Sequence, residues 1–224
     1  MNGELVIVDD VAGEFAERII EAYHARPAEE FAIALSGGET ARRSYERLAE
    51  DAGTQIDWWK VDIYWSDERC VPPNHEDSNE RLVREALLDR VGAANAVYPM
   101  RCDEGPDTYQ LRLGELGKLD VVHLGLGPDG HTASLFPQSP ALDADPGRLV
   151  ALNSDPLGNN PHDRMTLTFA GIARARLVIV TVSGEDKRDA LARVAADDPE
   201  VPASQLRADR VLWLADPAAA GDLA

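Results

Sequence analysis

Asp120-Val-Val-His-Leu-Gly-Leu-Gly-Pro-Asp-Gly-His-Thr-Ala-Ser-Leu-Phe-Pro137 runs a short apolar stretch straight into a loop with three glycines, and its reading decides the fold. Val121, Val122, Leu124 and Leu126 are interrupted only by His123 and Gly125, the pattern of a central strand covered on both faces of a parallel sheet. Ligands of such sheets bind beyond the carboxyl ends of the strands. The glycines let the backbone turn sharply and approach a ligand, and the titratable His131 follows where a helix could begin.

The same rhythm recurs on either side. Leu5 to Val8 reads as a strand, followed by Ala12, Phe15, Ala16, Ile19 and Tyr23 at helical spacing. Phe31 to Leu35 is a second strand, leading through Ser36-Gly37-Gly38-Glu39-Thr40 into a helix with Ala41, Tyr45, Leu48 and Ala49 inward. Val61 to Trp65 is a third, ending in Ser66-Asp67-Glu68-Arg69 and two prolines that forbid an immediate helix. Ser78-Asn79 then caps a helix carrying Leu82, Val83, Ala86 and Leu87.

An edge strand is expected over Val97 to Met100 and a helix over Pro106 to Leu116. Further strands are expected over Leu149 to Leu152 and Leu177 to Val182, the latter running through Ser183-Gly184 into a helix with Ala190, Leu191 and Val194 inward. Arg164 to Phe169 alternates like a half-buried strand, and Val211 to Leu214 is the last. Strands alternating with helices predict one domain over residues 1–224, a three-layer α/β/α arrangement on a largely parallel, Rossmann-like sheet. The strand ends after Leu35, Trp65, Leu126 and Val182 should open on one edge.

Composition narrows the function. Forty acids against 22 bases give a formal net charge of −18, a surface that repels nucleic acid and anionic membrane. An anionic ligand would need the field inverted locally, where bases meet glycine loops. The start lacks a basic n-region and a long apolar h-region, and no apolar run is long enough for a bilayer, so a cytoplasmic protein is expected. Cys70 and Cys102, with no metal-type spacing, read as reduced thiols more readily than as a disulfide.

Several motifs carry chemistry. Gly125-x-Gly127-x-x-Gly130 matches a dinucleotide fingerprint, but Pro128 and Pro137 leave little room for the helix it needs, and Val150 to Leu152 offers no acid at the next strand end. The turn from Ser36 to Thr40 is either an anion site at a helix N-terminus or an ordinary capped turn. His131 is a general-base candidate, and Asp129 either fixes its tautomer or makes an Asx-turn. No His-x-Glu or His-x-x-x-His pattern surrounds His131, so no catalytic metal is suggested, and Ser134 lies in no nucleophile elbow. Arg69 is either a solvated base paired with Asp67 or Glu68 or a site residue. Lys187, in the first turn of a helix where the dipole opposes a cation, either meets a bound anion or is a solvated lysine balanced by Glu185 and Asp186; Arg164 carries the same ambiguity.

Taken together, Ser36-Gly37-Gly38-Glu39-Thr40, Ser66-Asp67-Glu68-Arg69-x-Val71-Pro72 with Ser78-Asn79, the block Gly125 to Pro137, and Arg164-Met-Thr-Leu-Thr168 occur in the order seen in 6-phosphogluconolactonases, and the chain strongly resembles that family. The fold implied is that of the sugar-phosphate isomerase superfamily, shared with glucosamine-6-phosphate deaminase. In those deaminases an Ile-Ala-Phe-Asn-Glu-type run stands where this chain has Thr132 to Phe136, and an Asp-Glu-Tyr stands in place of Asp67-Glu68-Arg69.

The resemblance implies hydrolysis of 6-phospho-D-glucono-1,5-lactone without a cofactor or metal. His131, Asp129 and Arg69 would be catalytic, and Ser36, Gly37, Gly38, Thr40, Asp67, Gly127, Gly130, Arg164 and Lys187 would bind substrate. A deaminase or a non-catalytic sugar-phosphate sensor are the alternatives. The partner expected is a phosphorylated sugar lactone, and the working expectation for the oligomeric state is a monomer.

Overall fold

The computed structural model describes residues 1–223. Seven strands form one all-parallel sheet in the order β1-β10-β9-β6-β2-β3-β5. They are β1 (Glu4–Ile7), β2 (Phe31–Leu35), β3 (Val61–Trp65), β5 (Ala96–Val97), β6 (Leu119–Gly125), β9 (Ala175–Val182) and β10 (Arg210–Ala215). β2 is buried at all five positions and β9 at its last five, so both run as continuous apolar segments rather than alternating ones. The expected edge strand over Val97 to Met100 is shorter and earlier, because the ladder with β3 covers Ala96 and Val97, with the Tyr98 N–H donating to the Ile63 carbonyl at its end.

Helices flank the sheet. α1 (Val11–His24) begins where Asp10 Oδ1 accepts the Gly13 N–H at 2.9 Å, and it buries Phe15, Ile19 and Tyr23. α2 (Glu39–Ala52) packs on α1 through Ala41, Tyr45 and Leu48. α3 (Asn79–Val83) starts at Ser78, whose hydroxyl accepts the Arg81 N–H, as its sequence requires. α4 (Pro106–Leu116) is tied to β3 by the Tyr109 hydroxyl, which accepts the Trp65 N–H at 2.7 Å and donates to the Trp65 carbonyl at 3.1 Å. α5 (Phe169–Ile172) is a single turn, α6 (Arg188–Ala195) buries Ala190, Leu191 and Val194, and α7 (Pro217–Ala220) is capped by Asp216. No helix among the described residues is long and apolar enough to cross a membrane.

Three strands escape the parallel sheet. β4 (Asp67–Arg69), β7 (Val150–Asn153) and β8 (Arg164–Leu167) pair antiparallel in the order β4-β8-β7, with Asp67 opposite Thr166 and Arg69 opposite Arg164. This sheet corrects two expectations. Asp67 to Arg69 is a strand, not a charged loop, because β8 supplies its ladder. All four residues of β8 are buried rather than half-buried, since β8 is the central strand between β4 and β7.

A third expectation also falls. Cys70 and Cys102 are bonded to each other, with Cα atoms 5.5 Å apart across 32 residues of sequence. Linear spacing concealed a proximity that arises only because the end of β4 lies against the 3-10 turn before α4.

Candidate active site

The sheet order reverses between β2 and β6. From β2 the chain moves outward through β3 to β5, then returns to β6 and proceeds the other way through β9 to β10. Two adjacent strands whose following segments diverge leave a crevice beyond their carboxyl ends. A cavity of about 550 Å³ lies there, lined by the loops after β2, β6 and β9 together with β4. All four strand ends expected to share an edge contribute to it.

The loop after β2 supplies Ser36, Gly37, Gly38, Glu39 and Thr40 to the wall. α2 starts at Gly38 without a side-chain cap, so its first N–H groups remain open to an anion. Gly37 is obligatory: a Cβ there would stand 1.8 Å from Asn79 Oδ1. Beneath the loop, the Tyr45 hydroxyl accepts the Ser36 N–H at 2.8 Å and meets buried His123 Nδ1 at 2.7 Å, while His123 Nε2 meets Thr181 Oγ1 at 2.9 Å. Burial pushes the His123 imidazole down to about 3, so it is a neutral spacer between two walls of the cavity.

The loop after β6 does not become a helix at His131. It folds into tight turns, with the Gly127 N–H donating to the His131 carbonyl at 2.8 Å and the Gly130 N–H to the Gly127 carbonyl at 2.9 Å. His131 Nδ1 lies 2.5 Å from Asp129 Oδ1, and the same oxygen accepts the His131 backbone N–H at 3.1 Å. Burial by itself would raise the Asp129 carboxyl, but the hydrogen bond and charge of His131 hold it below the ordinary carboxylate value. An ionised Asp129 accepts the Nδ1 proton and leaves Nε2 as the ring's basic nitrogen. The imidazole is one-fifth exposed and lines the cavity. Asp129 and Gly130 stand behind it, outside the wall.

β4 presents Asp67 and Arg69. Asp67 Oδ2 accepts the Ser134 hydroxyl at 2.6 Å, and the Asn79 amide donates to its carbonyl at 2.9 Å. The Arg69 guanidinium is not paired with Asp67 or with Glu68, whose carboxylate takes from Arg69 only the backbone N–H at 2.7 Å: Nη1 donates to the Asp77 carbonyl at 2.7 Å, and the buried Nε has no partner among the described residues. Glu68 is engaged elsewhere, its carboxylate accepting the N–H groups of Asn79 and Glu80, each at 2.7 Å, at the start of α3. Burial raises its pKa, against the pull of those N–H donors.

Lys187, in the turn after Gly184, reaches the cavity with its ammonium 2.8 Å from Asp186 Oδ2. Arg164 does not reach it. It lies opposite Arg69, only 5% exposed, and Nη1 donates to the carbonyls of Pro161 and His162. Burial, reinforced by the charge of Arg69, lowers its pKa.

Arg43, Thr181, Ser183 and Asp216 are wall residues that carry no motif of their own. Asn79, read as a helix cap, also faces the cavity with a buried Oδ1 that no donor satisfies.

The family model for glucosamine-6-phosphate isomerases and 6-phosphogluconolactonase matches residues 4–213. A Nostoc protein named 6-phosphogluconolactonase is 40% identical over 86% of this chain and 85% of its own length. A protein of the same name from Mycobacterium tuberculosis is 36% identical over 85% and 84%. Among solved structures, 6-phosphogluconolactonase from Leishmania guyanensis superposes with a TM-score of 0.86 at 26% identity, covering all of both chains. A monomeric glucosamine-6-phosphate deaminase shares the fold at a TM-score of 0.82 and 16% identity, over 98% of this chain and 99% of its own. The cavity at the strand-order reversal, the glycine loops that line it and these likenesses lead to one assignment: the chain belongs to the family of glucosamine-6-phosphate isomerases and 6-phosphogluconolactonases.

Proposed function

We propose that this protein hydrolyses 6-phospho-D-glucono-1,5-lactone to 6-phospho-D-gluconate, a step of the pentose phosphate pathway. Relatives named 6-phosphogluconolactonase match 85% or more of the chain at 36–40% identity. The observation that carries the chemistry is the contact between His131 and Asp129 at the cavity wall.

Nε2 of neutral His131 takes a proton from a water that attacks C1 of the lactone. The resulting imidazolium is stabilised by Asp129. As the bond from C1 to the ring oxygen breaks, the imidazolium returns the proton to that oxygen, giving the acid and a free hydroxyl. No electron changes hands, so the reaction needs no redox cofactor. Negative charge on the carbonyl oxygen requires donors already in position, and the guanidinium of Arg69 at the cavity wall is suited to that.

The phosphate lies at the open N-terminus of α2, against Gly37, Gly38 and Thr40, with Lys187 supplying charge. Arg164 acts from behind, holding the loop beside Arg69. Anchoring the phosphate orients the ring over His131. We take the working unit to be a monomer, a single domain over residues 1–224 acting in the cytoplasm on a soluble sugar phosphate.

One assay decides between this reaction and its superfamily alternative. Fresh phosphogluconolactone is followed beside its spontaneous hydrolysis, and ammonia release from glucosamine 6-phosphate is followed in parallel. Accelerated lactone loss with no ammonia is expected; ammonia alone would overturn the proposal, and neither would leave a sugar-phosphate binder.

A further inference from the structure

We propose that His75, Asp77 and His162 form a binding site for a divalent transition-metal ion of the zinc type, apart from the cavity and independent of the reaction assigned to it. The three residues bring one ligand atom each to within 4.8 Å of one another. Asp77 Oδ2 lies 2.9 Å from His162 Nε2 and 3.7 Å from His75 Nδ1. Bonds of about 2.0–2.1 Å in a tetrahedral site put ligand atoms roughly 3.3 Å apart. The two separations from Asp77 bracket that figure, and the two imidazole nitrogens lie within 4.8 Å of each other, so an ion is accommodated once the imidazoles close on it.

The protonation pattern is also suitable. The Asp77 N–H donates to His75 Nδ1 at 3.1 Å, so that nitrogen is unprotonated, and an ion would take over the lone pair that now accepts this N–H. His162 Nε2 shares a hydrogen bond with Asp77 Oδ2. An ion would replace that proton, which passes to His162 Nδ1 or, from the imidazolium, to solvent. His162 has a φ of +70°, unusual for a residue other than glycine, and its ring lies against Asp77 and His75. All three side chains are between 29% and 46% exposed, which leaves room for water as a fourth ligand. Two imidazoles and one carboxylate favour zinc, cobalt or nickel over magnesium and calcium, which prefer oxygen.

His75 and Asp77 come from the segment after β4, and His162 from the loop before β8. An ion would therefore join the two loops that flank Arg69, whose guanidinium already donates to the Asp77 carbonyl.

The test is titration of the metal-free protein with zinc chloride by calorimetry, with cobalt(II) absorption as a second readout, on the wild type and on His162→Asn, His75→Gln and His131→Ala. Asparagine tolerates the positive φ, and circular dichroism checks each fold. One equivalent should bind the wild type, and excess magnesium should not displace it. His162→Asn and His75→Gln should each weaken binding by at least the 10–100-fold seen for loss of a supporting contact at a metal. His131→Ala should leave it unchanged. No binding to the wild type, equal affinity in His162→Asn, or loss confined to His131→Ala would each overturn the assignment.

Discussion

His131 Nδ1 sits 2.5 Å from Asp129 Oδ1, two residues back along the same loop, and this contact decides which nitrogen of the imidazole faces chemistry. His131→Ala should lower kcat by on the order of a hundredfold or more with the fold intact, the range typical of a lost general base. Near-normal turnover in that variant would remove His131 from the base role.

Asp129→Asn keeps the size of the side chain but can stabilise the wrong tautomer, so kcat should fall while KM changes little. The acid limb of stability should change as well. Because the folded Asp129 carboxyl is held below its ordinary value, its contribution is complete above about pH 4 and is lost as pH falls through the lower folded value. The variant should lose less stability over that window, which acid titration followed by circular dichroism would measure. A limb identical to wild type would show that the contact does not hold in solution.

Gly127 is irreplaceable for a reason of space. A Cβ built on it falls 2.1 Å from His131 Nδ1 and 2.7 Å from Asp129 Oδ1. Gly127→Ala should displace the imidazole and reduce kcat by on the order of a hundredfold, since small misplacements of a catalytic group cost that much. Steady-state kinetics at retained melting temperature checks it, and a kcat within twofold of wild type contradicts the packing argument.

Lys187 faces the cavity, and its partner among the described residues is Asp186. If it grips the phosphate, Lys187→Ala should raise KM roughly tenfold or more with kcat largely kept, a loss of uniform binding. An unchanged KM would assign the lysine to its ion pair alone.

The bond between Cys70 and Cys102 closes a loop of 32 residues that contains α3. Cys70→Ser should cost roughly 2–4 kcal/mol of stability, and reductant should cost the wild type about the same. Urea unfolding with and without reductant measures both. If the curves coincide, the thiols are unpaired in solution, as a reducing compartment would leave them.

The strands from Phe31 to Leu35 and Val61 to Trp65 were legible residue for residue, because buried parallel strands are written as uninterrupted apolar runs between turn signals. So was α4, announced by Pro106 and ended by Gly117. β4 was not: Asp67-Glu68-Arg69 has no local propensity for a strand, and only the ladder offered by β8 makes it one. Arg164 misled for a related reason. A charged residue after a loop resembles a ligand, yet here its charge is spent on the Pro161 and His162 carbonyls, while its cross-strand neighbour Arg69 reaches the cavity.

From the sequence by itself came the layered α/β architecture, the common edge for the loops after Leu35, Trp65, Leu126 and Val182, and the candidacy of His131. Apolar periodicity and turn chemistry are local properties, and each is legible within a dozen residues. The tertiary structure alone decided that the sheet reverses between β2 and β6, that Asn79 and Thr181 join the wall, that Arg164 does not, and that Cys70 meets Cys102. Those are contacts between segments far apart in the chain. Which of them form depends on how whole elements pack against each other, and no single stretch records that.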